Sequence, residues 1–450
     1  MKFKNTFAML FLFCICFAFI LTANTNIMAQ DVTPQTPYAD SLTSLKDYKK
    51  DSTYQNQIAG EFTPAKGFDI IVTDKGSLNI SGYLLGRYLN QLPGEQKFND
   101  HLGRERVVHP RNDIYSQRFF MWLTGFLGTR KFNYNLTVWG LVPTMQTLVF
   151  GNLTYSFARQ FRIGVGIGPN LGIRSVQGPW PFFSATDRNM ADESIRPGFT
   201  GSFWATGELV PRFYYTAAVG NNLSILGVTA SQLTRNLTTS TSFWWMPTTG
   251  EFGPRGGWND LENHTHLATR FGVSYGHARD DRFSNINDST SVNSQVKISD
   301  GINVYERGAL ADGVTVNRLN WDMGSVDIGF KYRGFFFMAQ YYARYLSKFA
   351  ATGPLPVEDI FDQTVQVDAS YMVIPYTLNW YISGSYMDDQ FQRYPNEFST
   401  GLSYYPMNSR TLRLNMHYIM ISKSPTGSNF GYYQPGQTGS TISLAADILF

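Results

Sequence analysis

From Ser77 to the final Phe450, apolar and polar residues alternate in short runs, each ended by turn-forming residues. Successive side chains of a strand point to opposite faces, so a period of two gives each run one apolar and one polar face. Leu414, Met416, Tyr418 and Met420 share one face, opposite Arg413, Asn415 and His417. Phe337, Ala339, Tyr341, Ala343 and Tyr345 likewise oppose Met338, Gln340, Tyr342 and Arg344. In the closing stretch TISLAADILF, one face carries Ile442, Leu444, Ala446, Ile448 and Phe450.

The pattern predicts sixteen strands, at 77–90, 115–128, 132–142, 149–158, 160–170, 199–209, 211–219, 239–247, 265–277, 320–333, 335–347, 364–374, 378–387, 397–406, 411–422 and 439–450. Long connections follow odd-numbered strands (91–113, 171–198, 220–238, 277–319, 348–363, 388–396 and 422–438). Short ones follow even-numbered strands, near Arg130, Arg159, Gly334, Pro375 and Asn408. Short turns at one end and long loops at the other are the habit of outer-membrane barrels. Segment 247–265 breaks the parity, being long after an even strand, which points to a miscounted pair of strands.

A soluble sandwich would also alternate, but its polar faces would be rich in Lys and Glu. Here they carry Gly, Ser, Thr, Asn, Gln and Arg, and only 16% of residues are charged while 16% are aromatic. That balance suits an outer face in lipid with aromatic girdles, and an inner face around water. The expected fold is all-β: a transmembrane antiparallel β-barrel of about 16 strands with long extracellular loops. Outer-membrane lipid is its expected surroundings.

Lys2 and Lys4 precede an apolar run over 7–23, and Ala29 offers a small residue for cleavage, so 1–29 reads as a signal peptide. Segment 30–66 is a polar periplasmic tail, and 67–450 is the barrel. Both cysteines, Cys14 and Cys16, fall in the signal, which leaves no disulfide framework and no thiolate ligand or nucleophile. Loss of Lys2 and Lys4 lowers the net charge from +3 to +1, so nothing suggests a nucleic-acid partner.

Catalytic signatures are missing. Gly164-Val-Gly-Ile-Gly168 lacks the third glycine of a dinucleotide fingerprint and sits on a strand. His264 and His266 could share a face and hold a metal, but a polar turn at a strand start is the better account of them. No enzyme activity, metal or cofactor is expected.

The stretch Phe161-Arg-Ile-Gly-Val-Gly-Ile-Gly-Pro169, followed by Phe182-Phe-Ser-Ala-Thr-Asp-Arg188 and Arg196-Pro-Gly-Phe-Thr-Gly201, resembles the phosphate-selective porin O and P family. The resemblance spans about 67–220 in detail and the rest as barrel texture. It implies a homotrimer and makes 171–198 the third extracellular loop, folded into the lumen. The residues agree, since Trp180, Phe182 and Phe183 can rest on a wall while Arg174, Asp187, Arg188, Asp192, Glu193 and Arg196 charge a constriction. The terminal Phe450 is similar to the signal read by outer-membrane assembly machinery.

Inward faces should carry Arg87, Arg162, Arg212, Arg270, Lys331, Arg344 and Arg413 against Glu208, Asp327, Asp368 and Asp447. Charge lining a pore sets its ion preference, so weak anion selectivity is expected unless these arginines are paired with the acids. The dense basic ladder that phosphate selectivity requires is not visible. The expectation is a porin in the outer membrane of a Gram-negative bacterium, passing small hydrophilic or anionic solutes. The alternative is a non-conducting barrel acting in secretion, assembly or adhesion.

Overall fold

A computed structural model of the chain describes residues 64–141, 146–168, 174, 181–198, 200–221, 223, 236–249, 252, 257–282, 296–427 and 431–450. The segment expected to be a signal peptide, 1–29, and most of the expected polar tail, 30–66, lie outside the described residues. The strands are β1 (Phe68–Val72), β2 (Ser77–Leu92), β3 (Gln96–Asn99), β4 (Glu105–Val108), β5 (Asn112–Leu127), β6 (Thr129–Leu141) and β7 (Gln146–Ala158). After β8 (Phe161–Ile167) comes helix α1 (Met190–Ile195), then β9 (Gly201–Val210), β10 (Phe213–Gly220), β11 (Thr238–Trp245), β12 (Ala268–Asp281) and β13 (Val316–Tyr332). The rest are β14 (Phe335–Ala351), β15 (Asp359–Ile374), β16 (Leu378–Asp388), β17 (Asn396–Tyr404), β18 (Leu412–Ser422) and β19 (Gly439–Leu449).

Sixteen of these, β2 and β5 to β19, form one antiparallel ring. It closes where β19 pairs with β2, from Ser440 opposite Leu92 to Leu449 opposite Tyr83. Beyond that seam Phe450 exchanges backbone hydrogen bonds with Gly82, at 3.1 and 2.9 Å. The Phe450 ring lies over Gly82, where a Cβ would fall 2.6 Å from it. β1 continues the edge, pairing with β2 at 77–80, and its Phe68 ring centroid stands 5.8 Å from that of Phe450.

The alternation seen in the sequence sorts the two surfaces. Leu84, Val149, Phe203, Val367 and Met416 are exposed on the outside, whereas Arg87, Gln366, Arg413 and Ser443 face inward and are buried. Exposed tyrosines mark both rims: Tyr332, Tyr371 and Tyr404 at the short-turn end, Tyr275 and Tyr386 at the long-loop end. An apolar band between two aromatic rims is what a bilayer demands of a barrel.

The strand count predicted from the sequence holds, so segment 247–265 is no sign of a miscounted pair. Its described residues, 247–249, 252 and 257–265, turn into the barrel as an insert from the short-turn end. Phe252 packs near Phe336, with ring centroids 6.1 Å apart. Asp260 accepts the Gly334 N–H at 2.7 Å, and Arg333 N–H donates to the His264 carbonyl at 2.8 Å. Its length goes into burying apolar side chains, so it does not need to cross the membrane.

The interior is consequently more filled than polar inner faces alone suggest. At the short-turn end, inward Tyr83, Phe120, Trp122, Trp139 and Trp244 form an apolar cluster with Phe252 and Trp258 of the insert. At the other end, Val296, Ile298, Val304 and Tyr305 pack against Trp321 and Leu346 of the wall. The β3–β4 hairpin is tied to the same loop by His101 and Asp300, 2.7 Å apart, and by Arg104 and Asp312, 3.1 Å apart.

Met416→Arg, placing a charge in the apolar band, should destabilise the folded barrel by about 2–4 kcal/mol. Reversible urea unfolding in lipid vesicles measures this, with an unchanged midpoint counting against a lipid-facing position.

Candidate constriction inside the barrel

Residues 181–198 run inside the barrel along β15 to β18, held there mainly by charged side chains. The Arg413 guanidinium donates to the carbonyls of Phe183, Ser184 and Ala185 at 2.6, 3.2 and 3.0 Å. Asp447 on the neighbouring strand neutralises it, with contacts of 3.0 and 2.8 Å. Arg410 bridges the same carboxylate and the Pro181 carbonyl, at 2.6 and 3.0 Å. One buried acid therefore fixes two arginines, and the two arginines hold four loop carbonyls.

Farther along, Glu397 accepts the Met190 N–H at 2.6 Å and the Tyr433 hydroxyl at 2.9 Å. Asn189 caps α1 and reaches Asp368 and Ser383, at 3.3 and 3.0 Å. Asp192 and Glu193 sit in the first turn of α1, where carboxylates suit the exposed N–H groups. Arg344 pairs with Asp362 at 2.6 Å and reaches the Ser194 carbonyl at 3.4 Å.

The constriction candidates come together, largely as ion pairs. Asp187 faces Arg118 at 3.0 Å and Arg87 at 3.7 Å. Arg188 meets Asp192 at 3.2 Å, and Arg196 meets Glu193 at 3.0 Å. Arg174 is buried. Burial alone would raise the Glu193 carboxyl, but Arg196 and Arg188 outweigh it and hold it at about 2.

Of the basic residues expected on the inner wall, Arg87, Arg162, Arg270, Lys331, Arg344 and Arg413 are there and buried. Arg270 pairs with Asp327 at 2.8 Å and Lys331 with Glu262 at 3.6 Å. Arg162 donates to Ser156 at 2.7 Å. Arg212 is elsewhere: it occupies the exposed β9–β10 turn with φ of 69° and donates to the carbonyls of Pro247 and Thr248, at 2.8 and 2.6 Å. The alternation that put it inside starts at 211, but the chain is still turning there and β10 begins only at Phe213.

Other participants carried no pattern in the sequence. Tyr432 and Tyr433 enter from the last long loop, and Tyr432 bonds Thr186 at 2.7 Å. The backbone N–H of Trp258 in the insert donates to the Phe182 carbonyl at 2.8 Å, and the Trp258 ring meets Phe183 edge-on at 5.1 Å. Loop and insert thus meet in mid-barrel from opposite ends. The glycine face of β8 has a local cause: Trp204 lies flat on it, and a Cβ at Gly164 would fall 2.2 Å from the indole.

His264 and His266 do not form a metal pair. His264 hydrogen-bonds Asp260, and His266 is exposed. Asp260, Glu262 and His264 do cluster, but the Lys331 ammonium already faces Glu262. Burial would raise the Asp260 carboxyl, yet His264 and Lys331 keep it below the usual range, while burial pushes that of Glu262 up.

No protein-family model matches the chain, and no curated protein matches it. Among solved structures, the outer-membrane expressed OmpT of Vibrio cholerae superposes with a TM-score of 0.53 at 12% identity, over 85% of this chain and 100% of that one. The trimer form of in-vitro folded OmpT gives 0.50 at 11% identity, over 84% and 100%. At such identities the likeness establishes the barrel fold.

Asp447→Ala should cost about 3–5 kcal/mol, because two buried guanidinium groups lose their counter-charge; denaturant unfolding of the refolded barrel measures it. Glu193 is held below its ordinary value of 4.5, so its contribution is complete above about pH 4.5 and is lost as pH falls toward about 2. Amide exchange of the third loop should loosen over that window, and Glu193→Gln should remove the dependence.

Proposed function

We propose that this chain is a passive, non-enzymatic porin in the outer membrane of a Gram-negative bacterium, passing small hydrophilic solutes. The observation that carries the reading is a loop clamped across the lumen by charged side chains, inside a barrel with an apolar exterior and a polar inner wall. Short turns face the periplasm and long loops the outside. A homotrimer is the proposed assembly, in line with the trimer form of the OmpT structure. The terminal Phe450, at the β2 seam, is the proposed contact for barrel-assembly machinery.

The ion preference is weakly anionic. The inner wall carries more arginine than acid, but Arg87, Arg270, Arg344 and Arg413 each stand against a carboxylate. Such pairing cancels most of a lumen's field, so phosphate selectivity is not assigned. One observation favours the second reading, a non-conducting barrel in secretion, assembly or adhesion: loop and insert meet inside, Trp258 against Phe183.

Single-channel recording of the refolded chain separates the two. Steady current with a reversal potential modestly favouring chloride, shifted toward cations by Arg188→Ala and Arg196→Ala, is expected. A folded barrel that carries no current would transfer the assignment to the second reading.

A further inference from the structure

The short turns of the barrel are unequally charged. In the turns β1–β2, β5–β6, β7–β8 and β9–β10, which follow one another around the ring, Lys75, Arg130, Lys131, Arg159 and Arg212 stand exposed. Lys66, just ahead of β1, is exposed as well. The acids of the same sector are Asp69 and Asp74, both exposed, and Glu208, which is buried and pairs with Arg159. By contrast, the β15–β16 turn, Pro375-Tyr376-Thr377, has no charge, and the β17–β18 turn has only Arg410, committed to Asp447.

The basic sector is continuous. The Gly128 N–H donates to the Lys75 carbonyl at 2.7 Å, and the Glu208 N–H to the Arg159 carbonyl at 3.1 Å, so neighbouring turns touch. Phe132 of β6, opposite Tyr155 of β7, joins the two pairs of turns.

The sector also borders the apolar band directly. Val72 lies just ahead of Lys75, Leu127 ahead of Arg130 and Val210 ahead of Arg212, while Phe157 and Phe161 flank Arg159; all five apolar side chains are exposed. β1 adds Phe68, Ile70 and Ile71, exposed too. The cations therefore sit where the lipid-facing surface ends, at the headgroup layer. Their aliphatic stems can lie along apolar surface while the charge stays in water.

Three partner classes can be compared on this surface. A cationic partner is disfavoured by the charge. A soluble anion or anionic polymer answers the charge but leaves the exposed apolar side chains beside it unused. A phospholipid with a net negative headgroup answers both, its phosphate at the guanidinium and ammonium groups and its acyl chains on the apolar side chains next to them.

We infer that this sector of the short-turn rim binds anionic phospholipid headgroups in the leaflet that the short turns meet. The inference needs only the membrane-spanning barrel and is independent of whether the barrel conducts.

The test uses the refolded chain, with folding checked by heat-modifiable gel mobility. It is reconstituted in phosphatidylcholine vesicles holding a trace of spin-labelled phosphatidylglycerol or, separately, spin-labelled phosphatidylcholine, and electron spin resonance reads the fraction of label held at the protein surface. Phosphatidylglycerol should associate about fivefold more strongly, the effect of about one cation at a membrane surface. Combining Lys75→Gln, Arg130→Gln and Lys131→Gln should bring the two labels most of the way to equality. Arg279→Gln, Arg307→Gln and Lys348→Gln together, exposed changes at the long-loop end, should leave the preference intact. In the unmodified chain, salt at about 1 M, where the Debye length is about 3 Å, should erase it. Equal association of both labels, a preference that survives the turn variant or the high salt, or its loss in the long-loop variant would overturn the lipid surface. Co-sedimentation with purified cell-wall sacculi, lost in the turn variant while the two labels associate equally, would overturn it in favour of an anionic polymer.

Discussion

The β19–β2 seam is the constraint on which the rest depends. In lipid no water is available for backbone N–H and C=O groups, so a spanning sheet must have no edge. The pairing from Ser440 to Leu449 with β2 removes both edges at once, and Phe450 with Gly82 extends it by one more residue. Once the ring is closed, each strand has one side toward lipid and one toward the lumen. Period-two alternation is then required around the whole ring, and the parity of short and long connections follows from an even strand count.

Closure also creates an interior that must be furnished. A ring of sixteen strands encloses more space than inward side chains fill, and this chain fills it from both ends. The third loop is held by polar anchors centred on Asp447, Glu397 and Asp368. The insert is held by aromatic packing below and by Asp260 and Lys331 at its base. The charges of the lumen therefore act first as structural clamps. Arginine content is a poor guide to ion preference where most of the guanidinium groups already face a carboxylate.

Much of the fold was legible because a strand's pattern is local. The run from Arg413 to Met420 declares its two faces without reference to any partner, and its neighbours do the same. Arg212 shows where local reading fails: the turn falls at 211–212, later than the expected break at 210, and moves a side chain from the wall to the rim. Segment 247–265 shows a second failure, since length alone cannot distinguish an extra hairpin from an insert whose Phe252 and Trp258 fold back inside. The charged residues of the third loop stood out for their company of aromatics, whereas Tyr432, Tyr433 and Trp258 had nothing nearby to mark them.

Sequence by itself determined the all-β class, the strand count and the lipid and lumen faces. Each depends on residues adjacent in the chain, whose backbone geometry alone orders them into two faces. Tertiary structure decided which acid neutralises which arginine, that loop and insert touch through Phe183 and Trp258, and that Asp368, Trp258 and His417 share one cavity. Those are pairings between residues far apart in the chain, and they come into being only when the ring closes and brings opposite walls within hydrogen-bond reach.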